Sequence, residues 1–197
     1  MKLTGLPLSE LIARFRSTSP TPGGGSASAL AGALGAALLA MVAAMPKNRA
    51  STDAETSQLQ SAAGQCSALS DVLLDLVNRD SEAYEAVMAA YRLPRNSDDE
   101  KATRKAGVQA AMKRAAETPL ATMRSAAEAL EAAPVIARLG SANASSDVAV
   151  AVELLSAAAR GARANVEINL ESLDDAAYVA RLKEEVSEID RRCSRIP

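Results

Sequence analysis

The sequence predicts an all-α fold: a single-domain, up-and-down bundle of long helices that assembles as a homodimer or a higher homo-oligomer. Three observations carry this. Alanine is abundant while aromatics are nearly absent, with one Phe, three Tyr and no Trp in 197 residues. A core of Ala, Leu, Val and Met suits close helix–helix contact better than a sheet. Apolar residues recur at alternating spacings of three and four, the helical period. The connections are short and carry caps or prolines, and no repeat, linker or low-complexity tract divides residues 1–197 into two domains. Long helices rich in small residues also leave apolar faces that one small bundle does not cover, so a second copy is expected.

Taken in order, a short amphipathic helix covers Ser9 to Phe15. The loop Ser19-Pro20-Thr21-Pro22-Gly23-Gly24-Gly25-Ser26 follows. Its prolines stiffen the approach. Its glycines remove every Cβ, so the backbone can take φ > 0 and touch a ligand or another backbone closely. Ser26 is the expected N-cap of an uncharged helix ended by Pro46, and the free N–H groups at that helix start favour an anion. Lys47-Asn48-Arg49 is a polar turn. Thr52-Asp53-Ala54-Glu55 is a capping box opening a helix to Tyr91, closed by Pro94.

Ser97-Asp98-Asp99-Glu100 is a second capping box, for a helix expected to reach Glu117. Thr118-Pro119 then reads as the cap and start of another helix, ending near Pro134, because Pro suits the first helical position. A turn leads to Gly140 and the polar loop Ser141–Ser146. Ser146 is the expected cap of a helix from Asp147 to Glu171, and Asp174 that of a last helix with Leu182, Val186 and Ile189 on one face.

Composition excludes several classes. A net charge of −2, without a basic stripe interleaved with aromatics, argues against a nucleic-acid partner. Histidine is absent, which removes the commonest general base, the serine-type triad and most zinc sites. Cys66 and Cys193 have no metal spacing and read as a core thiol and a tail thiol in a reducing cytoplasm. Met1 to Arg16 lacks the pattern of a signal peptide. Residues 26–45 could span a bilayer by length. Most of them are Ala, Gly and Ser, which gain little in lipid, so a buried central helix is expected and no membrane partner.

Several polar residues stand where a core belongs. The stripe Leu59, Ala62, Cys66, Leu69, Leu73, Leu76, Asp80, Ala83, Val87 places Asp80 in the apolar register. Such a carboxylate is either paired with an Arg or a helix end, or has a raised pKa and a place in a site. Asn165 and Asn169 continue the stripe Ala151, Leu155, Ala158, Ala162 and can bond a ligand or a neighbouring helix. Asp147, in a first turn, suits the helix dipole without any function. Lys101 and Arg104 share a helical face near Arg95. They form either a solvated surface or a holder for a substrate carboxylate.

These pieces together resemble one family. The carriers are the loop Ser19–Ser26, the run from Asp80 through Tyr84 to Arg95-Asn96, and Glu100-Lys101-Ala102-Thr103-Arg104. Gly140-Ser141-Ala142-Asn143-Ala144-Ser145-Ser146-Asp147 and Gly161-Ala162-Arg163-Ala164-Asn165-Val166-Glu167-Ile168-Asn169-Leu170 follow in the same order. From Leu8 to Asp175 the chain resembles the formiminotransferase–cyclodeaminase C-terminal domain family, which includes free-standing bacterial methenyltetrahydrofolate cyclohydrolases. Two segments depart from it. Members often carry a Gly-basic-basic-aromatic stretch where this chain has Met45-Pro46-Lys47-Asn48-Arg49-Ala50, and a Gly-Asn where it has Gly140-Ser141.

The resemblance implies an all-α homodimer acting on a tetrahydrofolate one-carbon unit, with no metal and no cofactor beyond that substrate. It implies Asp80, Asp147 and Lys47 as catalytic residues, with Asp147 or Lys47 close to Asp80. It implies Pro22, Gly23, Gly24, Gly25, Ser26, Arg95, Lys101, Arg104, Asn143, Ser146, Asn165 and Asn169 as substrate-binding. Two reactions share one geometry. In cyclohydrolysis, water attacks the 5,10-methenyl carbon and yields 10-formyltetrahydrofolate. In cyclodeamination, N10 attacks the 5-formimino carbon and expels ammonia. The run from Asp80 through Arg104 looks more like the cyclohydrolases. The alternatives are a cyclodeaminase of histidine degradation and a catalytically degenerate folate binder or helical scaffold.

Overall fold

The computed structural model describes residues 2–46 and 52–195, and all regular structure among them is helical. The helices are α1 (Leu8–Phe15), α2 (Gly24–Ala44), α3 (Asp53–Tyr91), α4 (Asp98–Leu139), α5 (Ser145–Leu170) and α6 (Ala176–Cys193), with 3-10 turns at Leu3–Gly5 and Ala142–Ala144. Both capping boxes form as expected. The Thr52 hydroxyl accepts from the Glu55 N–H, the Ser97 hydroxyl from the Glu100 N–H, and each Glu carboxylate accepts from its cap residue's N–H.

Helices α2 to α5 make a four-helix core in which α2 packs on α3 and α5, and α4 packs on the same two. Neighbours run antiparallel. Along α2, Ser26 meets Asp80 of α3 and Gly32 meets Leu73. On its other side Gly24 meets Asn165 of α5 and Gly35 meets Leu155. The backbones approach closely because these positions are small. A Cβ on Gly35 would lie 2.8 Å from Leu155 Cγ, and one on Gly32 3.2 Å from Ala158 Cβ. Helix α6 buries Leu182, Val186 and Ile189 as predicted and ties to α4 through Arg124–Glu185 and Arg192–Glu131 ion pairs.

Length differences create the cleft. Helices α3 and α4 have 39 and 42 residues, α2 and α5 only 21 and 26. At 1.5 Å per residue, α3 outruns α2 by roughly 27 Å. The α3–α4 hairpin overhangs the start of α2 and the end of α5, held by its own cluster of Val87, Val108, Ala111, Met112 and Ala115.

Several local expectations fail for tertiary reasons. No second helix starts at Thr118-Pro119, and none ends at Pro134: α4 runs through both. A mid-helix proline costs about 3 kcal/mol and frees the carbonyl four residues back. Fully buried Leu120, Met123, Leu130 and Ile136 hold the helix straight through, and Asn169 Nδ2 donates to the freed Ala115 carbonyl at 2.9 Å. Ser26 is not a cap but the third residue of α2, with Gly23 at the cap position. Ser146 lies inside α5, whose cap position is Ala144. Asp175, not Asp174, caps α6, accepting from the Tyr178 N–H at 3.0 Å. No described glycine has positive φ, so the loop glycines serve close approach alone. The Thr21–Pro22 peptide is cis.

Helix α2 is long and apolar enough to cross a membrane, and half of its apolar stretch (50 %) is buried in the bundle. Its outward face stays exposed and uncharged, with Ala27, Leu34, Ala37, Met41 and Ala44 toward solvent.

Candidate active site

Asp80 reaches from α3 across the N-terminus of α2. Its Oδ2 accepts from the Ser26 backbone N–H at 2.8 Å and from the Ser26 hydroxyl at 2.8 Å. That hydroxyl also reaches the Val77 carbonyl at 3.0 Å. The carboxylate thus supplies, from another helix, the cap that Ser26 was expected to give. No Arg pairs with it among the described residues. Gly25 is what lets it in: a Cβ there would overlap Oδ1 and lie 2.6 Å from Cγ. Burial pushes the Asp80 carboxyl above the usual 3.8, against a smaller downward pull from the two Ser26 hydrogen bonds. Oδ2 is committed to the fold, and Oδ1 takes no hydrogen bond among the described residues.

That oxygen opens on a cavity of about 440 Å³ lined by Pro20, Thr21, Gly23–Gly25, Asp80, Tyr84, Met88, Tyr91, Met112, Asn165 and Asn169, among others. Gly24 and Gly25 also belong to this wall, and their first-turn N–H groups find no acceptor among the described residues. Pro22 and Ser26 are buried beneath the loop and do not line it. Tyr84, Met88 and Tyr91 were not anticipated as site residues. The signal was available: they follow Asp80 at helical spacing on one face of α3, and two of the chain's three tyrosines stand here.

Beyond Tyr91, which belongs to both, a second cavity of about 400 Å³ is lined by Arg95, Lys101, Arg104, Lys105, Val108 and Gln109. The structure gathers the predicted cations here and adds Lys105. Arg104 Nε donates to the Tyr91 carbonyl at 3.0 Å, and its guanidinium lies 5.5 Å from the Tyr91 ring centroid. Lys101 pairs with Asp98 and Lys105 with Asp174, both in exposed settings.

Asn143, Ser146 and Asp147 are not near Asp80. Asn143 lies in the 3-10 turn before α5 and Ser146 and Asp147 in its first turn, and Asn165 toward its far end is 18 residues on from Asp147, roughly 27 Å along the axis. The expected proximity of Asp147 to Asp80 within one chain is therefore wrong: the motifs come together in sequence order but occupy opposite ends of an antiparallel bundle. Lys47 lies outside the described residues. A groove of about 880 Å³ runs along α4 and α5 at this second end, with Glu153 and Arg160 among mainly apolar neighbours. No group of His, Cys, Asp or Glu that could hold a metal occurs among the described residues.

The fold and this site define an all-helical bundle with a carboxylate seated on a glycine-walled helix start, beside a pocket lined by cations. The chain belongs to the formiminotransferase-cyclodeaminase family, whose model matches residues 7–188. It is 41 % identical over 169 residues to a methenyltetrahydrofolate cyclohydrolase of Methylorubrum extorquens, covering 85 % of this chain and 81 % of that one. It is 32 % identical over 183 residues to the formimidoyltransferase-cyclodeaminase of Sus scrofa, covering 93 % of this chain but only 34 % of that longer protein. The crystal structure of a formiminotetrahydrofolate cyclodeaminase from Thermotoga maritima superposes with a TM-score of 0.85 at 28 % identity, over 97 % of this chain and 91 % of that one.

Proposed function

We propose that the chain is a methenyltetrahydrofolate cyclohydrolase, acting in the cytoplasm, with Asp80 as its proton carrier. The observation that carries this is the division of labour in Asp80: one oxygen is fixed by Ser26 and the other lies free in a cleft. Similarity to a cyclohydrolase over most of its length, against about a third of the bifunctional cyclodeaminases, supports this reaction over the other. The Thermotoga neighbour keeps cyclodeamination as the second reading.

In the proposed reaction, water attacks the 5,10-methenyl carbon while Asp80 Oδ1 takes one of its protons. The tetrahedral carbon between N5 and N10 then collapses. Asp80 returns a proton to N5 as the C–N5 bond breaks, and the remaining hydroxyl proton passes to solvent water as the formyl carbonyl forms on N10, so that one proton is released per turnover. A carboxyl held above its ordinary pKa by burial is suited to carrying that proton. The free Gly24 and Gly25 N–H groups supply donors for the developing oxygen. Arg95, Lys101 and Arg104, with Lys105, hold the glutamate end by charge-assisted bonds, with Tyr91 as the wall between the two halves.

The uncharged outer face of α2 is the proposed homodimer contact. A two-fold axis crossing α2 near Leu34 sets the two copies antiparallel. Each glycine loop then faces the partner's Gly140–Asp147 end, which is how Asn143, Ser146 and Asp147 would take part. Leu34→Arg should give a monomer by light scattering, with turnover lost.

Loss of methenyltetrahydrofolate absorbance, run beside ammonia release from the 5-formimino substrate, tests the assignment. Hydrolysis well above the buffer rate, without ammonia release, supports cyclohydrolysis. Ammonia release alone moves the protein to the second reading, and inactivity in both assays overturns the enzymatic one.

A further inference from the structure

We infer that Asn165 and Asn169 present an acceptor-only edge that selects the ligand by its donors, and that these donors are the N3–H and 2-amino group of the pterin ring. The inference rests on the folate reading and adds which edge of the ring is recognised and by what.

The orientation of both amides is fixed by their partners. Asn165 Nδ2 donates to the Gly161 carbonyl at 2.8 Å, and Asn169 Nδ2 to the Ala115 carbonyl at 2.9 Å. A carbonyl cannot donate, so in each case the nitrogen must face it and Oδ1 must point elsewhere. Among the described residues no donor reaches either oxygen and no buried side-chain polar atom lacks a partner, and both residues line the Asp80 cavity. Each Oδ1 therefore opens on the cleft. The two residues are four apart on α5, hence side by side on one face.

For Asn169 the orientation is locked by Pro119. The Ala115 carbonyl would ordinarily receive the N–H of residue 119, and proline has none. Turning the amide to offer its NH₂ to a ligand would leave that carbonyl unpaired. The edge thus offers only acceptors: two amide oxygens, with Asp80 Oδ1 across the cleft. Its complement is a ring edge with contiguous donors. The aminopyrimidinone end of a tetrahydropterin has them, and the other end is then left toward Asp80, where the one-carbon unit reacts.

Calorimetric titration of tetrahydrofolate and its 2-desamino-2-methyl analogue into the full chain tests this. Wild type should bind the analogue at least tenfold more weakly. In Asn165→Leu the gap should shrink to within about threefold, through weaker binding of tetrahydrofolate itself; a tenfold change corresponds to about 1.4 kcal/mol. Pro119→Ala is the second arm. It restores the backbone bond to Ala115 and frees the Asn169 amide to turn, so it should narrow the gap with the melting temperature kept or raised. Equal binding of the two ligands by wild type, or a gap undiminished in both variants, overturns the inference while leaving the folate reading intact. Binding of neither ligand overturns both.

Discussion

Replacing Asp80 by Asn and by Ala separates its two jobs. In Asp80→Asn the amide oxygen can take the place of Oδ2 and accept both Ser26 bonds now at 2.8 Å. Those bonds lose charge assistance, a change of roughly 1 kcal/mol, and the burial cost that raises the carboxyl's pKa disappears with the charge. The two changes oppose, so the melting temperature should move by no more than about 4 °C. In Asp80→Ala the Ser26 hydroxyl can still donate to the Val77 carbonyl, but the Ser26 N–H is orphaned at the start of a buried helix. That costs about 1–3 kcal/mol. Turnover in the methenyltetrahydrofolate absorbance assay should fall by roughly 10²-fold or more in both, the usual scale for a lost acid–base group. Asn with a native melting curve and dead chemistry is the signature of a proton carrier. Asn with near-normal turnover would refute the catalytic role and leave Asp80 as a helix cap only.

The acid limb of kcat/KM should fall above the ordinary aspartate value of 3.8: the base form is the ionised one, and burial delays ionisation to higher pH, so activity is lost as pH drops through a raised pKa. The limb should vanish in Asp80→Asn; a limb unchanged in that variant assigns it to another group. Gly25→Ala puts a methyl group against Asp80 Cγ and should cost about 1–3 kcal/mol of stability in a thermal melt, together with most of the turnover. Full activity there would mean that the carboxylate need not sit where it does. Arg104→Ala should raise KM with kcat nearly unchanged; a loss confined to kcat would remove Arg104 from the tail pocket.

What the sequence made legible was local. The capping boxes at Thr52 and Ser97 declare themselves within four residues, and both form. Asp80 stood out because it broke an apolar register on its own helix. Arg95, Lys101 and Arg104 were already neighbours in the chain. What stayed hidden depends on residues far apart. The partner of Asp80 is 54 positions away at Ser26, so local pattern points to the nearest hydroxyl as the cap and not to the carboxylate that fills the role. Pro119 looked like a helix start because the residue that repairs its missing bond, Asn169, is also 54 positions away. Motif order carries no information about which end of an antiparallel bundle each motif occupies, so nothing in the sequence separates the segment from Asn143 to Asp147 from Asp80.

Asp80, Asn165, Asn169 and Arg104 share one feature: each side chain has two ends, and one of them is tied to a backbone group. Asp80 gives Oδ2 to the Ser26 N–H and keeps Oδ1 free. Asn165 and Asn169 give Nδ2 to carbonyls of Gly161 and Ala115 and keep Oδ1 free. Arg104 gives Nε to the Tyr91 carbonyl, leaving its terminal amino groups toward the cationic pocket. A side chain anchored in this way has already lost its rotamer freedom during folding, so binding a ligand need not fix it again. This resolves the puzzle of polar residues in core positions. Their register is set by the anchor, which must reach a neighbouring helix or the preceding turn, and their chemistry by the end left over. It also accounts for the glycines. The histidine-free site draws a carboxylate tight against a helix start, and Gly25 leaves the room in which Asp80 lies.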